Sequence, residues 1–199
     1  MSDFAGLVHA LRERAKGSAR FMVAIAGAPG SGKSTLAHNL CGELKSLGES
    51  AIVVPMDGFH FDDAVLNARG HRPRKGAPFT FDVRGFEALL KRIKAREPEV
   101  AIAVCDRAME LSRAAADIVD EKAKFVLVEG NYLLLGEEPW SRLRPLFDFA
   151  VFISVPRDEL ERRLIRRCGD HGTQRRRGPG PARLAPPRHP RGRPRPGHR

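Results

Sequence analysis

Residues 27–34 read Gly-Ala-Pro-Gly-Ser-Gly-Lys-Ser, and this stretch decides the fold. It matches G-x-x-x-x-G-K-[ST], in which glycines let successive backbone N–H groups turn inward on phosphate oxygens. Ahead of it runs Phe21-Met-Val-Ala-Ile-Ala26, apolar and partly β-branched, which predicts a buried strand. Behind it Leu36, Ala37, Leu40, Leu44 and Leu47 fall on one helical face, and Gly48 marks the helix end. Strand, glycine loop and helix, in that order, is the context in which the motif binds a nucleotide. A helix starting near Lys33 would add its partial positive N-terminus. Lys33 would then reach the β- and γ-phosphates, and the Ser34 hydroxyl would hold Mg²⁺. The expected ATP-binding set is Gly27, Ala28, Pro29, Gly30, Ser31, Gly32, Lys33, Ser34 and Thr35.

A chain of 199 residues suffices for one α/β domain. No apolar run approaches the roughly 18 residues of a membrane span, and the N-terminus lacks the pattern of a signal peptide. Cys41, Cys105 and Cys168 are widely separated, which fits thiols in a reducing cytoplasm and neither a disulfide framework nor a zinc site. The net charge of +11 is uneven. Residues 171–199 hold nine of the 35 basic residues and none of the 24 acidic ones, so 1–170 carries only +2.

The rest of the chain continues the alternation begun at the loop. Residues 3–16 predict a helix capped by Ser2 or Asp3, with Phe4, Leu7, Val8, Leu11 and Ala15 on one face. Ala51–Met56 reads as a second strand, and the stretch from Asp57 to Pro78 as a long functional loop. Asp82 would cap a helix with Val83, Phe86, Leu89, Leu90 and Ile93 on one face, closed by Pro98. Val100–Val104, Lys124–Val128 and Phe149–Val155 are three more strand candidates, whereas residues 107–117 read as mixed helical or irregular. Pro156 takes the first position of a helix, with Asp158 and Glu159 near its start. The expected fold class is α/β, a P-loop NTPase with a five-stranded parallel sheet between helices.

In such sheets ligands bind beyond the carboxyl ends of the strands, where Asp57, Asp106 and Glu129 are expected. Phosphoryl transfer needs a base for the acceptor hydroxyl and an acid for Mg²⁺ or its water; Asp57 and Glu129 suit those roles. Solvated strand-end acids are the plainer alternative.

The loop, Met56-Asp-Gly-Phe-His60, Lys75-Gly-Ala-Pro-Phe-Thr-Phe-Asp82 and Val128-Glu-Gly-Asn-Tyr-Leu-Leu-Leu135 occur in that order. Together they resemble the phosphoribulokinase/uridine kinase-like P-loop kinases, which include pantothenate kinase. The likeness is nearest to a bacterial branch described as nucleoside/nucleotide kinase-like or fructose transport system kinase (fructokinase-like). It covers roughly residues 1–172. The resemblance implies that Asp57 is the general base and that Glu129 serves Mg²⁺ and the phosphates. Lys75, Thr80, Phe81 and Asp82 would line the acceptor site, with Asp82 equally a helix cap. His60, Asp106 and Asn131 join the acceptor set, His60 with a structural role as its alternative. Arg163, Arg166 and Arg167 would belong to a lid helix closing over the phosphoryl group, or else to a solvated face. The basic stretch Arg69–Lys75 is either an acceptor contact or a surface loop.

The tail departs from the resemblance. Residues 171–199 contain nine Arg, seven Pro and five Gly, with one Leu as the only larger apolar group. Such a segment is expected to stay disordered. It is either a basic arm for nucleic acid or an acidic partner, or a frameshift product of a GC-rich gene, the reading favoured here. These expectations define a cytoplasmic kinase domain at 1–170 that transfers the γ-phosphoryl of ATP to a hydroxyl of a small molecule. The acceptor would be a sugar such as fructose, a nucleoside or a pantothenate-like compound. No membrane partner is expected, nucleic acid only through the tail, and a homodimer is left open. An inactive kinase remnant is the rival the tail raises. A GTPase is disfavoured because no N-K-x-D occurs in the sequence.

Overall fold

The computed structural model describes residues 4–106 and 111–165. The elements below lie in the compact unit Met1–Leu164. Helix α1 (Phe4–Arg14) precedes strand β1 (Phe21–Gly27), helix α2 (Lys33–Ser46) and strand β2 (Ala51–Pro55). Helices α3 (Asp63–Ala68) and α4 (Val83–Lys94) follow, then β3 (Val100–Asp106) and β4 (Leu111–Val119). Strands β5 (Phe125–Gly130) and β6 (Phe149–Ile153) complete the named set, and the chain is helical again from residue 157.

The main sheet is parallel, in the order β2-β5-β1-β6. Every residue of β1 and β5 is buried, so both need cover on two faces. Alternation of side chains divides that cover. Phe21, Val23, Ile25, Phe125 and Leu127 pack with Leu11, Leu40 and Leu44 of α1 and α2. Met22, Ala24, Val126 and Val128 pack with Phe86, Leu90 and Ile93 of α4 and with Trp140. The period of two along the strands and of 3.6 along the helices produces the three-layer arrangement.

The α/β parallel class expected from the sequence is present, but the sheet has four strands and not five. The segment expected as a third sheet strand, β3, pairs antiparallel with β4 as a separate two-stranded unit. A short apolar run does not specify which neighbour it takes. Here Val100 and Ile102 point inward while Ala101 is exposed, the alternation of a half-covered hairpin strand. Residues 111–117 are accordingly strand and not the mixed segment expected; 107–110 lie outside the described residues.

Two other expectations change in detail. The stretch 57–78 contains a real helix, α3, capped by Asp62, whose Oδ1 accepts from the Ala64 amide at 2.8 Å. Leu66 anchors it, fully buried. Pro156 sits one position before the helix it was expected to begin, with its carbonyl accepting from the Leu160 amide at 3.0 Å. Asp82 caps α4 as expected, accepting from the Gly85 amide at 2.9 Å. The caps proposed at Ser2 and Asp3, the arginines at 166 and 167, Cys168 and the tail lie outside the described residues.

Candidate active site

The phosphate loop joins the end of β1 to the start of α2. Gly32 precedes the first helical residue with φ of 95°, a left-handed conformation that glycine adopts without steric cost. Lys33 is only 8% exposed, and its Nζ donates back across the loop to the Ala28 carbonyl at 3.0 Å. Ser31 is 5% exposed, and its hydroxyl has no hydrogen-bond partner among the described residues. A buried hydroxyl left unpaired costs about 1–3 kcal/mol. A phosphate oxygen in the loop would satisfy it, so the residues present fit the nucleotide that the motif predicts.

Sheet register carries the second acid to this loop. Glu129 of β5 lies beside Ile25 of β1 on one side and Pro55 of β2 on the other, and is 6% exposed. Asp57 lies two residues past the end of β2, in the 3₁₀ turn Met56–Phe59. A cleft of about 370 Å³ brings Asp57 and Glu129 together with Ser34. A hydroxyl and carboxylates are hard oxygen donors suited to Mg²⁺, which draws its other ligands from water and phosphate. Among the described residues no group of three or more His, Cys, Asp and Glu is set to hold a metal by itself.

The cleft has a second wall, the β3–β4 hairpin. A Cβ on Gly58 would stand 2.2 Å from the Ala103 carbonyl oxygen, so only glycine lets β3 cross the turn this closely. The Ser112 hydroxyl donates to the Gly58 carbonyl and locks β4 to the same residue. Cys105 of β3 and Asp117 of β4 face the cleft opposite His38 and Cys41 of α2. Sequence reading missed these four. His38 and Cys41 follow Ser34 by four and seven residues, a helical-face pattern that was available. Asp117 had no signal, because its segment could not be assigned.

On another side of Asp57 lies an aromatic cluster. His60 stacks on Phe81 at 3.8 Å between ring centroids, and Phe81 meets Tyr132 at 5.8 Å and Trp140 at 5.7 Å. Tyr132 is pushed above the usual phenol range by burial and then by the negative charge of Asp57. Its hydroxyl donates to the Gly76 carbonyl at 2.7 Å, and the Trp140 indole donates to Pro78 at 3.3 Å. Segment 76–81 is thereby fastened beside Asp57.

Several expected acceptor residues are engaged within the chain in this arrangement. Thr80 is fully buried, and its hydroxyl accepts from the Gly76 amide and donates to the Ala77 carbonyl; it closes its own loop. Phe81 is a core side chain, 4% exposed. Lys75 and Arg72 both pair with Asp63, at 2.6 and 2.8 Å. Arg69 lies over Phe61, and Arg74 over Phe79. None of the residues 69–75 lines the cleft. Asp106 was expected at the end of a parallel strand; it ends the antiparallel strand β3 instead, one residue past the cleft-lining Cys105, with a carboxylate oxygen 4.0 Å from Arg113. His60 has Nδ1 3.0 Å from the Asp57 carbonyl. Asn131 is half-buried directly after β5. Arg163 lies at the phosphate loop, its Cβ 3.9 Å from where a Cβ on Gly30 would be, while its Nε donates to Glu159 at 2.7 Å.

A glycine phosphate loop between a central parallel strand and its helix, with Glu129 near the end of the adjacent strand β5 and Asp57 just past β2, the strand beyond it, defines the chain as a P-loop kinase. It belongs to the family of uridine kinase-like and pantothenate kinase-like P-loop kinases, the phosphoribulokinase/uridine kinase-like group. No family model matches the chain. It is 34% identical over 180 residues to "Putative uridine kinase C227.14" of Schizosaccharomyces pombe, covering 84% of this chain and 74% of that protein. It is 37% identical over 151 residues to "Uncharacterized protein YggC" of Escherichia coli, covering 74% of this chain and 62% of that one. The crystal structure of a "putative fructose transport system kinase" from Silicibacter sp. TM1040 superposes with a TM-score of 0.82 at 41% identity, covering 86% and 84% of the two chains. The chain spans about half the length of the bacterial pantothenate kinases it also matches.

Proposed function

We propose that this chain transfers the γ-phosphoryl group of ATP to a hydroxyl of a small molecule. The observation that carries the reading is the convergence of Ser34, Asp57 and Glu129 on one cleft beside the phosphate loop. The loop N–H groups and Lys33 hold the phosphates. Ser34 and Glu129 hold Mg²⁺, which supplies neutralisation of charge on the phosphates. Asp57 accepts the proton of the acceptor hydroxyl. Arg163, at Gly30, adds positive charge on the loop side. The uridine kinase, pantothenate kinase and fructose transport system kinase among its relatives favour uridine, pantothenate or a sugar such as fructose as acceptor classes.

Asp57→Asn tests the reading, because it keeps the shape of the side chain and removes the base. ADP release with an acceptor should fall at least 100-fold, the scale of general-base catalysis, while ATP affinity measured by calorimetry stays within threefold. Equal loss of both would assign Asp57 to structure and not to chemistry.

A further inference from the structure

We infer that Ser112 is a positioning residue for Asp57, holding the turn that aims its carboxylate into the cleft; this rests on the kinase reading above. Asp57 belongs to a turn of four residues, Met56–Phe59, and three of them are held by their own groups. Met56 is fully buried against Gly130 of β5. The Asp57 carbonyl accepts from the His60 amide at 3.4 Å, with the His60 Nδ1 3.0 Å away. Phe59 packs on the Phe86 ring at 4.8 Å between centroids, and its carbonyl accepts from the Asp82 amide at 2.8 Å.

Gly58 is the weak point of the turn. It must be glycine, because β3 passes so close that any Cβ would strike the Ala103 carbonyl. A glycine has no side chain to anchor it and gives the backbone its widest range of φ and ψ. Rotation there would re-aim the carboxylate one residue away. The Ser112 hydroxyl removes that freedom: it donates to the Gly58 carbonyl at 2.5 Å, half-buried between hairpin and turn.

The hairpin is shaped to deliver that hydroxyl. From Val100 to Ile102 its strands keep one register, with Ile102 opposite Asp117. A bulge follows, in which Ala103 alone faces residues 114–116. Pairing then resumes with Val104 opposite Arg113 and Cys105 opposite Ser112. With the first register unbroken, Cys105 would face Ala114, and Ser112 would lie two positions further along the hairpin. Ala115, inside the bulge, takes φ of 50°, a left-handed conformation unfavourable for a residue with a Cβ. Bulges beside active sites re-aim side chains, and this one sits where β3 crosses Gly58.

The test is ADP release by the full chain, with uridine, fructose and pantothenate each offered as acceptor. Ser112→Ala should lower kcat at least tenfold, with the KM for ATP within twofold. Ser112→Thr, which keeps a hydroxyl, should restore kcat to within threefold. In the Asp57→Asn background, Ser112→Ala should change kcat by less than twofold, because Ser112 acts only through the carboxylate. A tenfold loss in both backgrounds means general damage to the fold and overturns the inference. So does a kcat within twofold in Ser112→Ala alone. Full turnover in Asp57→Asn refutes the base reading itself, and the inference with it. Hydrogen exchange at the His60 amide, followed by NMR, gives a readout that needs no turnover. It should quicken at least tenfold in Ser112→Ala while β1 and β5 stay protected; unchanged exchange there overturns the inference. Thermal melts confirm that the variants fold.

Discussion

The two sides of the cleft are built in different ways. The phosphate side is local: β1 ends at Gly27 and α2 begins at Lys33, so only the five residues 28–32 separate the two elements that carry the cradle. The acceptor side is assembled from separate parts of the chain. It takes β2, the turn Met56–Phe59 and the β3–β4 hairpin, joined by contacts such as Ser112 to Gly58. A local cradle can serve one constant ligand, the phosphate chain. A wall made from distant segments can change one segment at a time, which suits the partner that differs among kinases of one fold.

This contrast predicts that the two sides fail independently. The largest effect should come from Lys33→Ala, which removes the buried ammonium from the loop and leaves a cavity beside the Ala28 carbonyl. Turnover should drop by roughly 10²–10³-fold, the scale of losing one preorganised charge donor, and ATP affinity should drop with it. Acceptor binding, followed by fluorescence of the single tryptophan, Trp140 of the aromatic cluster beside Asp57, should persist. Loss of both ligands together would mean that the cradle organises the acceptor wall as well.

Gly58→Val probes the other side with a smaller effect. The new side chain would collide with the backbone of Ala103, and such overpacking costs about 1–3 kcal/mol when the neighbour can shift. The hairpin is the part able to shift, since among the described residues β3 and β4 pair only with each other. Hydrogen exchange should rise in β3 and β4 while β1 and α2 stay protected. Nucleotide affinity should hold while turnover falls. Uniformly faster exchange across β1 would show that the hairpin is part of the folding core.

How much of this was legible in the sequence follows the same division. The phosphate loop, its strand and its helix could be read because glycine spacing and apolar period are local signals. Asp57 and Glu129 could be placed because each ends a strand of the parallel sheet. Asp106 was expected to end a strand of the parallel sheet and ends a hairpin strand, because Val100–Val104 carries no mark distinguishing the two. Thr80 and Lys75 were assigned to the acceptor from resemblance; Thr80 bonds the Gly76 amide and the Ala77 carbonyl, and Lys75 pairs with Asp63 of α3. Asp117 reaches the cleft only through the register of β3 against β4, information that no single stretch of sequence contains.

Asp82 gives the smallest and sharpest comparison, since the sequence allowed it either side of the divide: helix cap or acceptor contact. Its Oδ1 accepts from the Gly85 amide, and a Cβ on Gly85 would stand 2.2 Å from its other oxygen, so the cap and its glycine are matched. Removing such a cap costs about 1 kcal/mol, which lowers the melting temperature of a domain this size by roughly 2–4 °C. Asp82→Ala should show that shift in a thermal melt, with the acceptor KM within twofold of the unmodified chain. Asp82→Ser, which can still cap, should recover most of the lost stability. A tenfold rise in acceptor KM that Ser does not restore would move Asp82 from the helix to the substrate, and with it the boundary between the two sides of the cleft.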